Sequence, residues 1–425
     1  MNSIRSGALY FEAKKYLPGG VSSPVRAYEP YPRYIQAGKG AIIYDADGNE
    51  YIDYCLGFGP LILGHARREV VEALKAQVEL GTLFGAPVEK ELQMAKLINR
   101  YYPSMEMMRF VSTGTEATMH AIRVARGHTG RNKFVKIEGA FHGAHDSVLV
   151  KAGSGATTHS APNSLGIPEE VTKNTLLAPF NDLEAVKSAF LGNKGEVAAI
   201  ILEPVMGNTG PILPDDGYLQ GLRELTREHD VLLIFDEVIT GFRLAMGGAQ
   251  QFYKVVPDMT VLGKIAGGGL PFGAFGASKE IMSNVSPLGK VYQAGTFSGN
   301  PLSLTAGIET ISTLEKEGHD GLNRQGERMR KGLESIVNEM HLGYQIAGIG
   351  PMFQLFLTDC TVHDHADAKR CDSILFMDLF ERLLEKGVYL PPSQYETNFL
   401  STAHDERTVD RTLDRFAEAL SEVST

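Results

Sequence analysis

The sequence predicts an α/β protein, a large domain with a mostly parallel central sheet plus a smaller α+β domain. Three observations carry this. Strand-like and helix-like segments alternate for about two hundred residues. Several strand-like segments, "AAIILEPV" (198–205) and "VLLIFDEV" (231–238) among them, are unbroken apolar runs, as strands are when helices cover both faces. After about residue 315 the texture changes to amphipathic helices and short strands, and 425 residues exceed one ordinary core. The divisions read as 1–65 for an N-terminal segment joining the small domain, 66–315 for the large domain, and 316–425 for the small one.

In chain order, "GAIIYDADGNEYIDY" (40–54) reads as a hairpin, two apolar strands about a "DADGN" turn. A helix is expected over 65–81, with Val70, Val71, Leu74 and Val78 on one face and Gly81 as its stop. "MRFVS" (108–112) is strand-like, and "EATMHAIRVARGHTG" (116–130) is a helix closed by glycine. Strands follow at "KFVKIEG" (133–139), 198–205, 231–238, "MTVLG" (259–263) and "FGAFGAS" (272–278), with a helix at 218–230. The small domain takes an amphipathic helix at 325–340, a strand at 350–357 and a closing helix at 405–423. The long, small and polar segment "AGSGATTHSAPNSLGIP" (152–168) interrupts the alternation, either as a lid or as a plain surface excursion.

Composition narrows the function. A formal net charge of −10 argues against general nucleic-acid binding, which rests on lysine and arginine contacts to phosphate. The cysteines, Cys55, Cys360 and Cys371, are odd in number and have no metal-site spacing, so no metal site and a reducing, cytoplasmic compartment are expected. The start has no apolar signal region, and no apolar run approaches the roughly 18 residues of a membrane span.

The chemistry-bearing residues stand at strand ends. Asp236 closes "VLLIFD", where a parallel strand meets the ligand crevice. A carboxylate there needs a cation or strong donors, either Arg243 in an ion pair or a protonated pyridine nitrogen. Lys264 stands 28 residues on, at the end of another apolar run and just before glycines 267–269. Dry surroundings disfavour its charged form and free the amine for imine formation. A nucleotide phosphate loop does not fit, because the glycines come after the lysine and Ile265 stands in place of the hydroxyl. Thr113, Gly114 and Thr115 lie between a strand and a helix, where N–H groups and the helix dipole suit phosphate, or where a threonine simply caps the helix. Phosphate cradle, acid and lysine together match the phosphate, ring nitrogen and aldehyde of pyridoxal 5′-phosphate.

"IFDEVITGFR", "LGKIAGGGLPFGAFGA" and "QAGTFSGNPLS" resemble the class III aminotransferases, within the fold type I pyridoxal-phosphate enzymes. "LPGGVSSPVRAY" and "LPPSQYETNFLSTAH" are similar to one branch of that class. Its members move an amino group within one substrate, turning (S)-4-amino-5-oxopentanoate into 5-aminolevulinate through the pyridoxamine form of the cofactor. The resemblance implies that Lys264 holds the cofactor and shuttles protons, that Asp236 keeps the ring nitrogen protonated, and that Val238 and Phe141 flank the ring. His142 and Asn208 would lie beside the ring, and Thr113, Gly114 and Thr115 would bind phosphate. Thr296 would reach the phosphate of a neighbouring subunit, which implies a homodimer. Ser23, Arg26, Phe58 and Glu396 would meet the substrate, and 152–168 would be the lid. Phe141 and Phe58 stand where the family usually has tyrosine and tryptophan, and "HGAHD" moves a histidine to 145. The alternatives are an aminotransferase for an ω- or β-amino acid and a protein that only binds the cofactor. "PPSQYETNF" lacks the arginine that such aminotransferases often carry there, which favours the aminomutase.

Overall fold

The structure is a computed structural model describing residues 1–150 and 164–423. The lid expected over 152–168 therefore falls mostly outside the described residues.

The N-terminal hairpin forms as expected. Strands β1 (Ile35–Lys39), β2 (Ile42–Asp45) and β3 (Glu50–Asp53) are antiparallel neighbours. The central sheet contains β4 (Met107–Val111), β5 (Lys133–Ile137), β6 (Thr175–Ala178), β7 (Val197–Leu202), β8 (Leu232–Asp236), β9 (Met259–Gly263) and β10 (Gly273–Ala277). Its order is β4-β10-β9-β8-β7-β5-β6. The ladders from β6 to β9 are parallel, and β10 runs antiparallel to both its neighbours. Toward the C-terminus, β11 (Gln345–Ile349), β12 (Met352–Phe356) and β14 (Asn398–Phe399) form a third sheet, and β13 (Val388–Tyr389) pairs parallel with β3.

Side-chain alternation explains the unbroken apolar strands. Ala199, Ile201, Ile234 and Val261 pack with Ala117, Ala121 and Val124 of the helix Gly114–Thr129. Their neighbours in sequence, Ile200, Leu202, Leu233 and Phe235, pack with the helices Leu183–Gly192 and Tyr218–Glu228. A strand covered on both faces has no polar side to show.

The helix expected over 65–81 is Arg68–Leu80, capped by Gly81. Its apolar face differs from the one expected: Val78 is 55% exposed, while Gln77 is buried. Gln77 lies against the long helix Pro301–Glu317, its Oε1 3.5 Å from the Thr305 hydroxyl, and donates to Gly81 O at 2.9 Å. Among the described residues, five helices of ten or more residues lacked a sequence expectation: Ile4–Ala13, Glu89–Tyr101, Leu183–Gly192, Pro301–Glu317 and Ser373–Glu385. The parallel strands β5, β7, β8 and β9 all end at one edge. Asp236 is the last residue of β8, Glu203 follows β7, and Lys264 follows β9.

Candidate active site

A cavity of about 790 Å³ opens at that edge. Ser23, Arg26, Phe58, Thr113, Gly114, Thr115, Phe141, His142, Asn208, Asp236, Val238, Lys264 and Glu396 all line it. Of the residues expected at the site, Thr296 alone is not among the lining residues; it is exposed.

Asp236 is 3% exposed and is oriented by two contacts. His142 Nδ1 lies 2.7 Å from its Oδ2, and the Val238 N–H donates to Oδ1 at 3.1 Å. Burial pulls the His142 pKa down although Asp236 opposes it. A neutral His142 then donates from Nδ1, and its buried Nε2, which has no partner among the described residues, is an acceptor. The expected alternative partner, Arg243, does not pair with Asp236: it donates to the carbonyls of Ile239 and Gly59 instead.

Lys264 opens a 3-10 turn directly after β9, at φ 45°. Its Nζ donates to the Phe58 carbonyl at 2.7 Å. Burial pushes its pKa down; Glu396 opposes that, Arg243 adds to it, and Glu203 and Asp236 also oppose. A lysine so placed holds a neutral, nucleophilic amine more readily than a solvated one. Glu396 is buried and lines the cavity, so it is not an exposed surface group.

At the start of Gly114–Thr129 the Thr113 hydroxyl accepts the Glu116 N–H at 3.0 Å, and Glu116 Oε2 accepts the Ser112 N–H at 2.6 Å. The first contact makes the Thr113 side chain a helix cap, and the second ties down the residue before the cap. The N–H groups of the first turn still have no carbonyl one turn back to serve, so this end suits an anion through backbone and dipole. Space here is close: a Cβ on Gly143, at φ 94°, would lie 2.5 Å from Thr115 Oγ1.

Glu203 was not singled out in the sequence, yet it organises one wall. It accepts the N–H groups of Phe141 and Gly207 and the Asn208 side-chain amide, each at 2.9 Å. Burial raises its pKa to about 7, with Asp236 adding to the rise. The signal was available, because Glu203 ends the apolar run of β7 as Asp236 ends that of β8. Ser23 and Arg26 come to the mouth on the turn Pro24–Arg26.

The residues present suit pyridoxal phosphate: a buried fixed carboxylate, a desolvated lysine and a helix start share one cavity whose close approaches leave room only for glycine. Fold and site together define a fold type I pyridoxal-phosphate enzyme. The chain matches the family Aminotransferase class-III over residues 24–423, and it belongs to that family. It is 56% identical over 421 residues to a glutamate-1-semialdehyde 2,1-aminomutase of Archaeoglobus fulgidus, covering 99% of this chain and 100% of that one. It is 54% identical over 416 residues to the enzyme of that name from Methanothrix thermoacetophila, covering 98% and 96%. Among solved structures it is similar to an omega-transaminase from Sphaerobacter thermophilus, with TM-score 0.94, 33% identity and full coverage of both chains. It is also similar to a glutamate-1-semialdehyde-aminomutase from Pseudomonas aeruginosa PAO1, with TM-score 0.88, 26% identity and coverage of 99% and 94%.

Proposed function

We infer that this protein is an aminomutase that uses pyridoxal 5′-phosphate and its pyridoxamine form. It converts (S)-4-amino-5-oxopentanoate, glutamate 1-semialdehyde, into 5-aminolevulinate, a precursor of tetrapyrroles. The observation that carries the reading is the shared cavity: Ser23, Arg26 and Glu396, from the most specific end motifs, line the same space as Lys264 and Asp236.

When bound, the cofactor supplies an electron-withdrawing ring and a carbon that carries the migrating nitrogen. Each protein group has a task there. The first-turn N–H groups of Gly114 and Thr115, with the Thr113 hydroxyl, would hold phosphate. Asp236, fixed by His142 and the Val238 N–H, keeps a proton on the ring nitrogen. Phe141, Val238, Asn208 and His142 line the same cavity and would enclose the ring. Arg26 matches the two oxygens of the substrate carboxylate, and Ser23 adds a donor. Lys264 holds the cofactor between turnovers and carries protons between the two substrate carbons. Phe58 and Glu396 close the substrate side.

Thr296 is exposed and away from this chain's cavity, which suits a homodimer in which it completes the neighbour's phosphate site. The same reading divides the chain at 1–65, 66–315 and 316–425 and places the enzyme in the cytoplasm. Among the described residues no helix is long and apolar enough to cross a membrane.

A second reading has a specific observation in its favour. Phe58 and Phe141 lack the polar groups that the family usually carries near the substrate and over the ring, and the likeness to an omega-transaminase has the higher TM-score. Purified protein mixed with glutamate 1-semialdehyde and no keto acid decides between them. Many turnovers of 5-aminolevulinate per site establish the aminomutase. No product, with conversion of an ω- or β-amino acid once a keto acid is added, makes it an aminotransferase.

A further inference from the structure

The steps above give no task to Arg243, one of the largest fully buried side chains. It has no carboxylate partner among the described residues. Its Nε donates to Ile239 O at 2.8 Å, its Nη2 donates to Gly59 O at 2.5 Å, and its guanidinium lies 4.3 Å over the Phe399 ring. Its Nη1 is buried and has no hydrogen-bond partner among the described residues. Keeping a cation out of water with no carboxylate beside it is costly, so its retention calls for a reason.

Its partner, Gly59, ends a run of four left-handed residues: Leu56 at φ 48°, Gly57 at 65°, Phe58 at 65° and Gly59 at 105°. Two of these carry side chains, for which this backbone region is strained. Such a turn persists only if its surroundings force it. Asp53 Oδ1 accepts the N–H groups of Cys55 and Leu56 at 2.9 and 3.0 Å. Leu56 is locked among Ile239, Leu244 and Phe399. Arg243 holds the far end, so tightly that a Cβ on Gly59 would lie 2.8 Å from its Nη2. What the turn presents is the Phe58 carbonyl, 2.7 Å from Lys264 Nζ.

We propose that Arg243 is a positioning residue: it clamps the 56–59 turn so that the Phe58 carbonyl docks the Lys264 amine. The carbonyl is then the resting place of the amine whenever the lysine is free of the cofactor. The inference rests on the reading of Lys264 as the cofactor lysine. Four charged groups bear on that amine. Glu396, Glu203 and Asp236 favour its protonated form, and Arg243 opposes it in the same direction as burial.

The test is a pH titration of the visible absorbance of the cofactor-loaded protein, with kcat and KM, for the parent and Arg243→Gln. The expected result is a midpoint moved to higher pH and kcat lowered by about tenfold to a hundredfold, with KM changed less than about threefold. Arg243→Lys, which keeps the charge, brings the midpoint back toward that of the parent. An Arg243→Gln midpoint equal to the parent's overturns the proposal. A parent with no lysine-dependent absorbance fails the reading of Lys264 instead, so the two failures are distinct. Should Arg243→Gln not fold, Gly59→Ala tests the clamp directly: parental kcat and midpoint there overturn it, and a fall in kcat sustains it.

Discussion

Lys264 and Glu203 are charged-type residues kept where charge is costly, and each has a distinct expected phenotype. Lys264→Ala should lower 5-aminolevulinate formation by a factor on the order of 10³ or more. The variant should still retain cofactor at the helix start and at Asp236, but without the lysine-dependent absorbance; full activity would refute the role. Glu203→Ala strands the N–H groups of Phe141 and Gly207 and the Asn208 amide, which it now accepts. Each buried group left unpaired costs about 1–3 kcal/mol, so urea unfolding should show a large loss, and Glu203→Gln a smaller one. Asp236 and Lys264 were legible in the sequence because a charged residue ending an apolar run is conspicuous. Arg243 was noticed only as one of two alternative partners for Asp236; its actual partners are main-chain carbonyls that no side-chain pattern reveals. The Thr113 hydroxyl suited both a cap and a phosphate; it accepts the Glu116 N–H as a cap, and an oxygen that accepts there can still donate its own proton to a phosphate.

At the scale of elements, the unforeseen helix Pro301–Glu317 is instructive. Ten of its residues are buried, from Pro301 to Leu314. A helix enclosed on most sides shows no single apolar stripe, so periodicity does not mark it. Its packing is close: a Cβ on Gly307 would lie 2.0 Å from Ala266 O, two residues beyond Lys264. Gly307→Ala should therefore cost about 1–3 kcal/mol by overpacking and lower kcat by displacing the lysine turn; unchanged melting and kcat would contradict this contact. The buried strands, by contrast, were legible as continuous apolar runs, although nothing in "FGAFGAS" shows that β10 runs against its neighbours. Strand β5 makes a pH-dependent contribution. Lys136 is wholly buried within it, and burial brings its pKa down to about 7, with Glu203 and Glu138 opposing. An unfolded lysine keeps its proton up to about pH 10.4. Between those values the unfolded state binds more protons, so this group makes stability rise with pH across the window and level off below about 7. Lys136→Met should flatten the gain in urea midpoint measured from pH 7 to pH 9.5.

For the whole molecule, the proposed dimer predicts complementation. Lys264→Ala and Thr296→Val subunits, each inactive or impaired alone, should recover about a quarter of parental activity after random re-pairing, because half the dimers are hybrids holding one complete site. No recovery with proven subunit exchange would place Thr296 outside the partner's site. The three sheets also differ in how their strands are separated along the chain. β3, at Glu50–Asp53, takes its parallel partner from Val388–Tyr389, and β4 is joined to the central sheet only through β10, at Gly273–Ala277. A chain emerging from the ribosome thus carries its first sheet with an open edge through most of its synthesis. Unpaired edges invite wrong partners. The final stretch of translation, rather than the start, is then the moment at which a nascent chain becomes safe from its neighbours on the same messenger.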